Sequence, residues 1–132
     1  MKCVASIFIL LICVLNAHQG VAADKKELSA ALAGVEANLK TPAGKQYDAD
    51  IGKQLSQQHA ARIRQCRQST GSDRLDPFDI FLNLAADGRV QQALAYPETP
   101  LAACTRDALS VATFSAPPHG DYWINIHLEL KK

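Results

Sequence analysis

Four cysteines, four histidines and 13 carboxylates are the groups in this 132-residue chain with the chemistry to react or to bind a metal. Cys66 and Cys104 form no C-x-x-C pair and have no histidine at ligand spacing, so neither a redox dithiol nor a zinc site is expected. His59, His119 and His127 are likewise remote from one another in sequence. His59 reads as a partly buried or surface residue of a helix, and His119, between Pro118 and Gly120, as a loop residue. His127 alternates with Asn125 on the polar side of a strand, where it meets either a partner or solvent. Ser110 and Ser115 lack the glycine-framed elbow of a nucleophilic serine, and Ser69 to Ser72 reads as linker. Asp73, Asp76 and Asp79 recur at regular spacing, but no glutamate closes a calcium loop, and a solvated turn is the expectation. No glycine-rich phosphate loop is present. The residues therefore predict a protein without catalytic machinery, metal or cofactor.

The first residues set the chemical context of the cysteines. Lys2 opens a short basic region, Val4 to Leu15 is almost unbroken apolar sequence, and Val21-Ala22-Ala23 places small residues before Asp24. This order predicts a secretory signal peptide over residues 1–23, cleaved after Ala23. The apolar run falls short of the roughly 20 residues that span a bilayer, so no membrane span is expected after cleavage. Processing would remove Cys3, Cys13 and His18, leaving Cys66 and Cys104 in an oxidising compartment as one disulfide. Closing a loop of about 38 residues would stabilise the fold by about 4 kcal/mol. The formal charge of +1 gives no reason to bind nucleic acid. A hydrophobic share of 48% against 20% charged residues argues for a globular chain rather than a disordered one.

The elements that must carry these groups follow from periodicity. Asp24 to Lys40 reads as a helix with Leu28, Leu32, Val35 and Leu39 on one stripe, stopped by Thr41-Pro42 and Gly44. A second helix is predicted from about Tyr47 to Gln68, capped by Asp48 or Asp50. Its buried stripe is Ile51, Leu55, Ile63 and Cys66, with Lys53, Gln57, Arg62 and Arg64 on the solvated side. Beyond Leu75 the period becomes two. Phe78, Ile80, Leu82 and Leu84 alternate with Asp79, Phe81 and Asn83, which predicts a half-buried strand. Ala86-Asp87-Gly88 is a hairpin turn, and Arg89 to Tyr96 returns as a second strand. Thr99 caps a short helix with Pro100 in its first turn and Leu101, Cys104, Ala108 and Val111 or Ala112 inward, ending near Phe114. In the last strand Tyr122, Ile124, Ile126, Leu128 and Leu130 face one way, and Trp123, Asn125, His127 and Glu129 the other. The fold class is α+β: N-terminal helices over residues 24–72, then β-β-α-β over 73–132, with a three-stranded antiparallel sheet packed on helices. A Cys66–Cys104 bond would pin two helices to the same sheet face.

Residues 73–132 resemble the C-terminal domain of TonB, the periplasmic module of the TonB and TolA type. The resemblance rests on Phe78 to Leu84, on Asp87-Gly88-Arg89-Val90, and on the helix with Cys104 and Leu109. It continues through Phe114 and Pro117-Pro118 to Trp123-Ile124-Asn125-Ile126. The paired cysteines look like those of a disulfide-bearing branch of such domains. The usual Tyr-Pro segment ahead of the first strand is absent, and Ala112-Thr113-Phe114 replaces the Trp-Arg-aromatic element that ends the family's helix. With only six prolines there is no long periplasmic spacer, so coupling to the proton-motive force is not carried over.

The resemblance implies an exported module that grips another protein through a sheet edge. The last strand is the expected site, with Tyr122, Trp123, Ile124, Asn125 and His127 as partner-binding residues and Ile124 as an edge donor. Trp123 is either an outward-facing anchor or a residue packed on the N-terminal helix or on Pro117-Pro118. A second class fits the same features: an immunity or inhibitor protein that neutralises a periplasm-acting toxin or hydrolase, such as a type VI secretion effector. An enzyme would instead require turnover that depends on His59, His127 or Asp79.

Overall fold

Thr41 and Thr99 organise the helices in the same way. Each is the N-cap of a helix with proline in its first turn, and each hydroxyl accepts a hydrogen bond from the backbone N–H three residues on (Gly44, 2.9 Å; Ala102, 3.1 Å). The computed structural model describes residues 23–71 and 76–131. The leader expected over residues 1–23 therefore lies, apart from Ala23, outside the described residues, as do Ser72 and Asp73. The elements are helix α1 (Lys25–Leu39), helix α2 (Pro42–Gln54), a π-helical turn (Leu55–His59), helix α3 (Ala60–Thr70), strand β1 (Phe78–Leu84), strand β2 (Val90–Tyr96), helix α4 (Pro100–Ser110) and strand β3 (Tyr122–Leu128).

Three expectations about the helices are corrected. Thr41-Pro42 ends α1 but also begins α2 at once, because a threonine cap and a proline that needs no N–H partner suit a first turn. Asp48 and Asp50 lie inside α2 and cap nothing. The helix expected to run unbroken to Gln68 is interrupted at Leu55–His59, where one extra residue per turn offsets α3 from α2. On α1 the sheet-facing residues are Leu28, Ala31 and Val35, while Leu32 is 49% exposed and Leu39 is also exposed. The helix is rotated because Gly34 lies directly over Trp123. A Cβ added at Gly34 would come 2.6 Å from Trp123 Cδ1.

The three strands form an antiparallel sheet in the order β2-β1-β3, as expected for class, with β1 in the centre. α4 lies over β2 and β1, with α3 beside it. The Cys66–Cys104 disulfide joins these two helices at a Cα–Cα distance of 5.6 Å. The main core gathers Tyr47, Ile51 and Cys66 with Ile80, Leu82, Ile124, Leu101 and Leu109, so the N-terminal helices and the ββαβ segment share one interior.

The opposite sheet face is also covered. Phe81 was expected on a polar side with Asp79 and Asn83, yet it is only 2% exposed, packed with Leu94, Trp123 and Ala31 beneath α1. β1 is therefore buried on both faces rather than half-buried. Asn83 is tolerated there because its side-chain amide donates to Asp121 Oδ1 at 2.7 Å. In α4 the inward residues are Leu101, Ala102, Thr105 and Leu109, and the helix stops at Ser110, before Phe114. Val111 points outward while Ala112 is buried. Gly88 closes the β1–β2 turn at φ +86°, and a Cβ there would strike the Phe114 carbonyl oxygen.

Candidate functional site

Being last in an antiparallel β2-β1-β3 order, β3 pairs on one side only. Which of its backbone groups remain free follows from the hydrogen-bond phase. At the hairpin the Ala85 N–H donates to the Arg89 carbonyl at 2.8 Å, so Ala85 faces the β2 side. Because successive residues alternate, Asn83, Phe81 and Asp79 also face β2, whereas Leu84, Leu82, Ile80 and Phe78 face β3. Their partners Tyr122, Ile124, Ile126 and Leu128 are thus bonded inside the sheet. Trp123, Asn125 and His127 turn their N–H and C=O groups outward. An independent contact agrees: the Asn38 side-chain amide, arriving from the end of α1, donates to the Trp123 carbonyl at 3.0 Å.

The structure thus divides the five predicted site residues into two sets. Tyr122 and Ile124 are buried, with Tyr122 packed edge-on to Tyr47 at 5.2 Å and to His119 at 4.9 Å. Ile124 supplies no edge donor, a correction to the sequence expectation: alternation fixes where its side chain points, and the same register turns its N–H toward Leu82. Trp123 is half-buried against Gly34 and α1. This is the second of the two placements that its sequence position allowed. Asn125 and His127 combine outward backbone groups with at least partial exposure. The open edge is therefore the Asn125–His127 half of β3, while Asn38 and the α1–α2 corner flank the Trp123 half. Nothing in the sequence singled out Asn38, which acts across 85 residues.

Beside this edge lies a polar cluster that the sequence does not juxtapose. His127 is 52% exposed at its side chain, with Nδ1 at 2.9 Å from Asp79 Oδ1 and Nε2 at 3.4 Å from Glu129 Oε1. The hydrogen bond to Asp79, joined by that to Glu129, raises the imidazole above its usual range. His59 is the opposite case. It is buried against Phe114, with ring centroids 5.0 Å apart, and neither ring nitrogen has a hydrogen-bond partner. Burial, reinforced by Arg62, lowers its pKa. His119 is an exposed loop residue. Ser115 is tied down: its N–H donates to Gln54 Oε1 at 2.9 Å, its carbonyl accepts from the Tyr47 hydroxyl at 2.7 Å, and its Oγ accepts from Gln54 Nε2 at 2.7 Å. Ser110 Oγ donates to the Asp107 carbonyl. Among the described residues, neither serine hydroxyl is hydrogen-bonded to a histidine or carboxylate side chain, and no three His, Cys, Asp or Glu side chains form a metal-sized group.

The other sheet edge is built differently. Gln91 is left unpaired as the register steps from Asn83↔Gln92 to Leu84↔Val90, which makes a bulge in β2. Pro97 follows the strand directly, and Arg106 of α4 holds Glu98 at 2.8 Å. No helix among the described residues is long and apolar enough to cross a membrane. No protein-family model, curated protein or solved structure matches the chain.

Proposed function

We propose that this protein is an exported, non-catalytic binding module that takes an extended segment of another protein as a fourth strand along β3, in the manner implied by its resemblance to TonB C-terminal domains. The observation that carries the reading is the open Asn125–His127 edge, whose N–H and C=O groups face away from β1. Such groups are the recognition element of strand addition: the main chain supplies affinity and alternate side chains supply specificity. The leader-like sequence of residues 1–23 and the Cys66–Cys104 bond support a periplasmic setting. Tying of the serines into structural hydrogen bonds supports a role in recognition rather than turnover.

The test is Asn125→Pro, which deletes an outward N–H and leaves the β1 ladder intact. Binding to an array of extended peptides tiled over envelope proteins should weaken about ten- to a hundredfold, the worth of one desolvated backbone hydrogen bond. Unchanged affinity for every peptide that binds would remove the edge from the reading.

A further inference from the structure

Next to the open edge, on the helical side of the sheet, lies an open groove of about 330 Å³. Its walls are Gly52 of α2, Leu55 and Ser56 of the π turn, and Ala60, Ile63 and Arg64 of α3; its floor is Leu128 and Leu130. The π turn creates it, because the extra residue offsets α3 from α2 where they pass the end of β3. Gly52 borders open space, where an added Cβ would meet nothing within 4 Å.

Leu128 lies on the same sheet face as Ile124 and Ile126. A strand added beside β3 would run about 4.8 Å away, and its helix-facing side chain opposite Leu128 would project over the groove floor. Arg64 is the one charged residue that lines the groove, and among the described residues it lies in no ion pair, whereas Arg62 and Arg67 donate to the Ala108 and Lys131 carbonyls. The other face of the added strand would meet the Asp79–His127–Glu129 cluster.

We propose, resting on the edge reading above, that the groove is the specificity pocket for the added strand, and that its partner is an extended segment bearing a bulky aliphatic residue with an acidic residue two positions away on the same face. The aliphatic side chain fills the space between Leu55, Ile63 and Leu128. The carboxylate answers Arg64. Charge complementarity with Arg64 selects an acidic segment over a basic one, and the main-chain bonds to Asn125 and His127 set its register.

The test uses short synthetic peptides that alternate serine with guest positions, titrated against the protein by fluorescence anisotropy. A leucine-x-aspartate guest pair should bind about tenfold more tightly than leucine-x-lysine or an all-serine host. Gly52→Leu fills the groove from a solvent-exposed helix position, so the leucine-guest peptide should lose about tenfold in affinity without a fall in melting temperature. Arg64→Glu should reverse the preference between aspartate and lysine guests. Equal binding of leucine and serine guests, an unaltered affinity in Gly52→Leu, or an unaltered charge preference in Arg64→Glu would overturn the pocket. The edge fails separately: if the leucine-guest peptide binds Asn125→Pro as it binds the unaltered protein, strand addition itself is wrong. A peptide that is lost in Asn125→Pro yet binds Gly52→Leu normally rejects the groove and retains the edge.

Discussion

The two edges of the sheet have the same length, seven residues each, and opposite designs. β2 is disrupted by the bulge at Gln91, closed by Pro97 and roofed by α4, which the disulfide fixes to α3. β3 pairs in unbroken register from Tyr122 to Leu128, with no proline or bulge, and only its first half is flanked, by Asn38 and the α1–α2 corner. Bulges and prolines are devices that stop a sheet edge from recruiting another strand. Under the proposed strand addition, their presence on one margin and absence from the other marks which edge is protected and which receives the partner.

The largest expected effect falls on the protected side. Replacing both Cys66 and Cys104 by serine should lower unfolding free energy by about 4 kcal/mol in denaturant titration. Amide exchange at Leu94 and Tyr96, whose N–H groups bond to β1, should rise more than at Ile124 and Ile126, because the pinned α4 packs chiefly on β2. Next come the paired proline substitutions. Asn125→Pro should weaken peptide binding about ten- to a hundredfold, whereas Ala93→Pro, whose N–H also points outward, should leave it unchanged; equal losses would erase the asymmetry.

A smaller effect tests where the receptive edge begins. Asn38→Ala removes the amide that donates to the Trp123 carbonyl and should cost about 1 kcal/mol of stability by thermal unfolding. Peptide affinity should hold or rise, since a further carbonyl is uncovered; a fall would make α1 part of the site rather than its boundary.

The smallest effects are in pH. His127 should titrate above 6.5 by NMR, and Asp79→Asn should bring it back toward that value. Its contribution to stability is complete below 6.5 and is lost as pH rises through its folded-state pKa. His59 has the opposite sign. Burial lowers its pKa, so its contribution is complete above 6.5 and declines as the solution is acidified. His59→Gln should flatten the acid limb of the stability profile without altering the His127 titration.

Much of the fold was legible because it is written in side-chain period. The alternation from Tyr122 to Leu128, the turn at Asp87-Gly88 and the cap at Thr99-Pro100 each have a local cause, and each stands in the structure, although the strand stops short of the expected Leu130. The same cap logic applied at Thr41-Pro42 would have given the start of α2. Phe81 misled because it stands between Asp79 and Asn83, and a strand covered on both faces differs from a half-buried one only through what packs on it. Leu32 misled because helical spacing does not reveal that Gly34 must sit over Trp123, which turns Ala31 inward instead.

The chain alone therefore determined the helices and strands, though not the π turn, the pairing of Cys66 with Cys104 once Cys3 and Cys13 are assigned to the expected leader, and the sorting of β3 side chains between two faces, since these depend on periodicity, composition and count. Tertiary structure decided that β1 is central, that α1 covers the second face, and that Asn125 and His127 rather than Ile124 present free backbone groups. The reason is physical: a side chain's direction is set by its own strand, but the direction of an N–H acquires meaning only when a neighbouring strand fixes the hydrogen-bond phase.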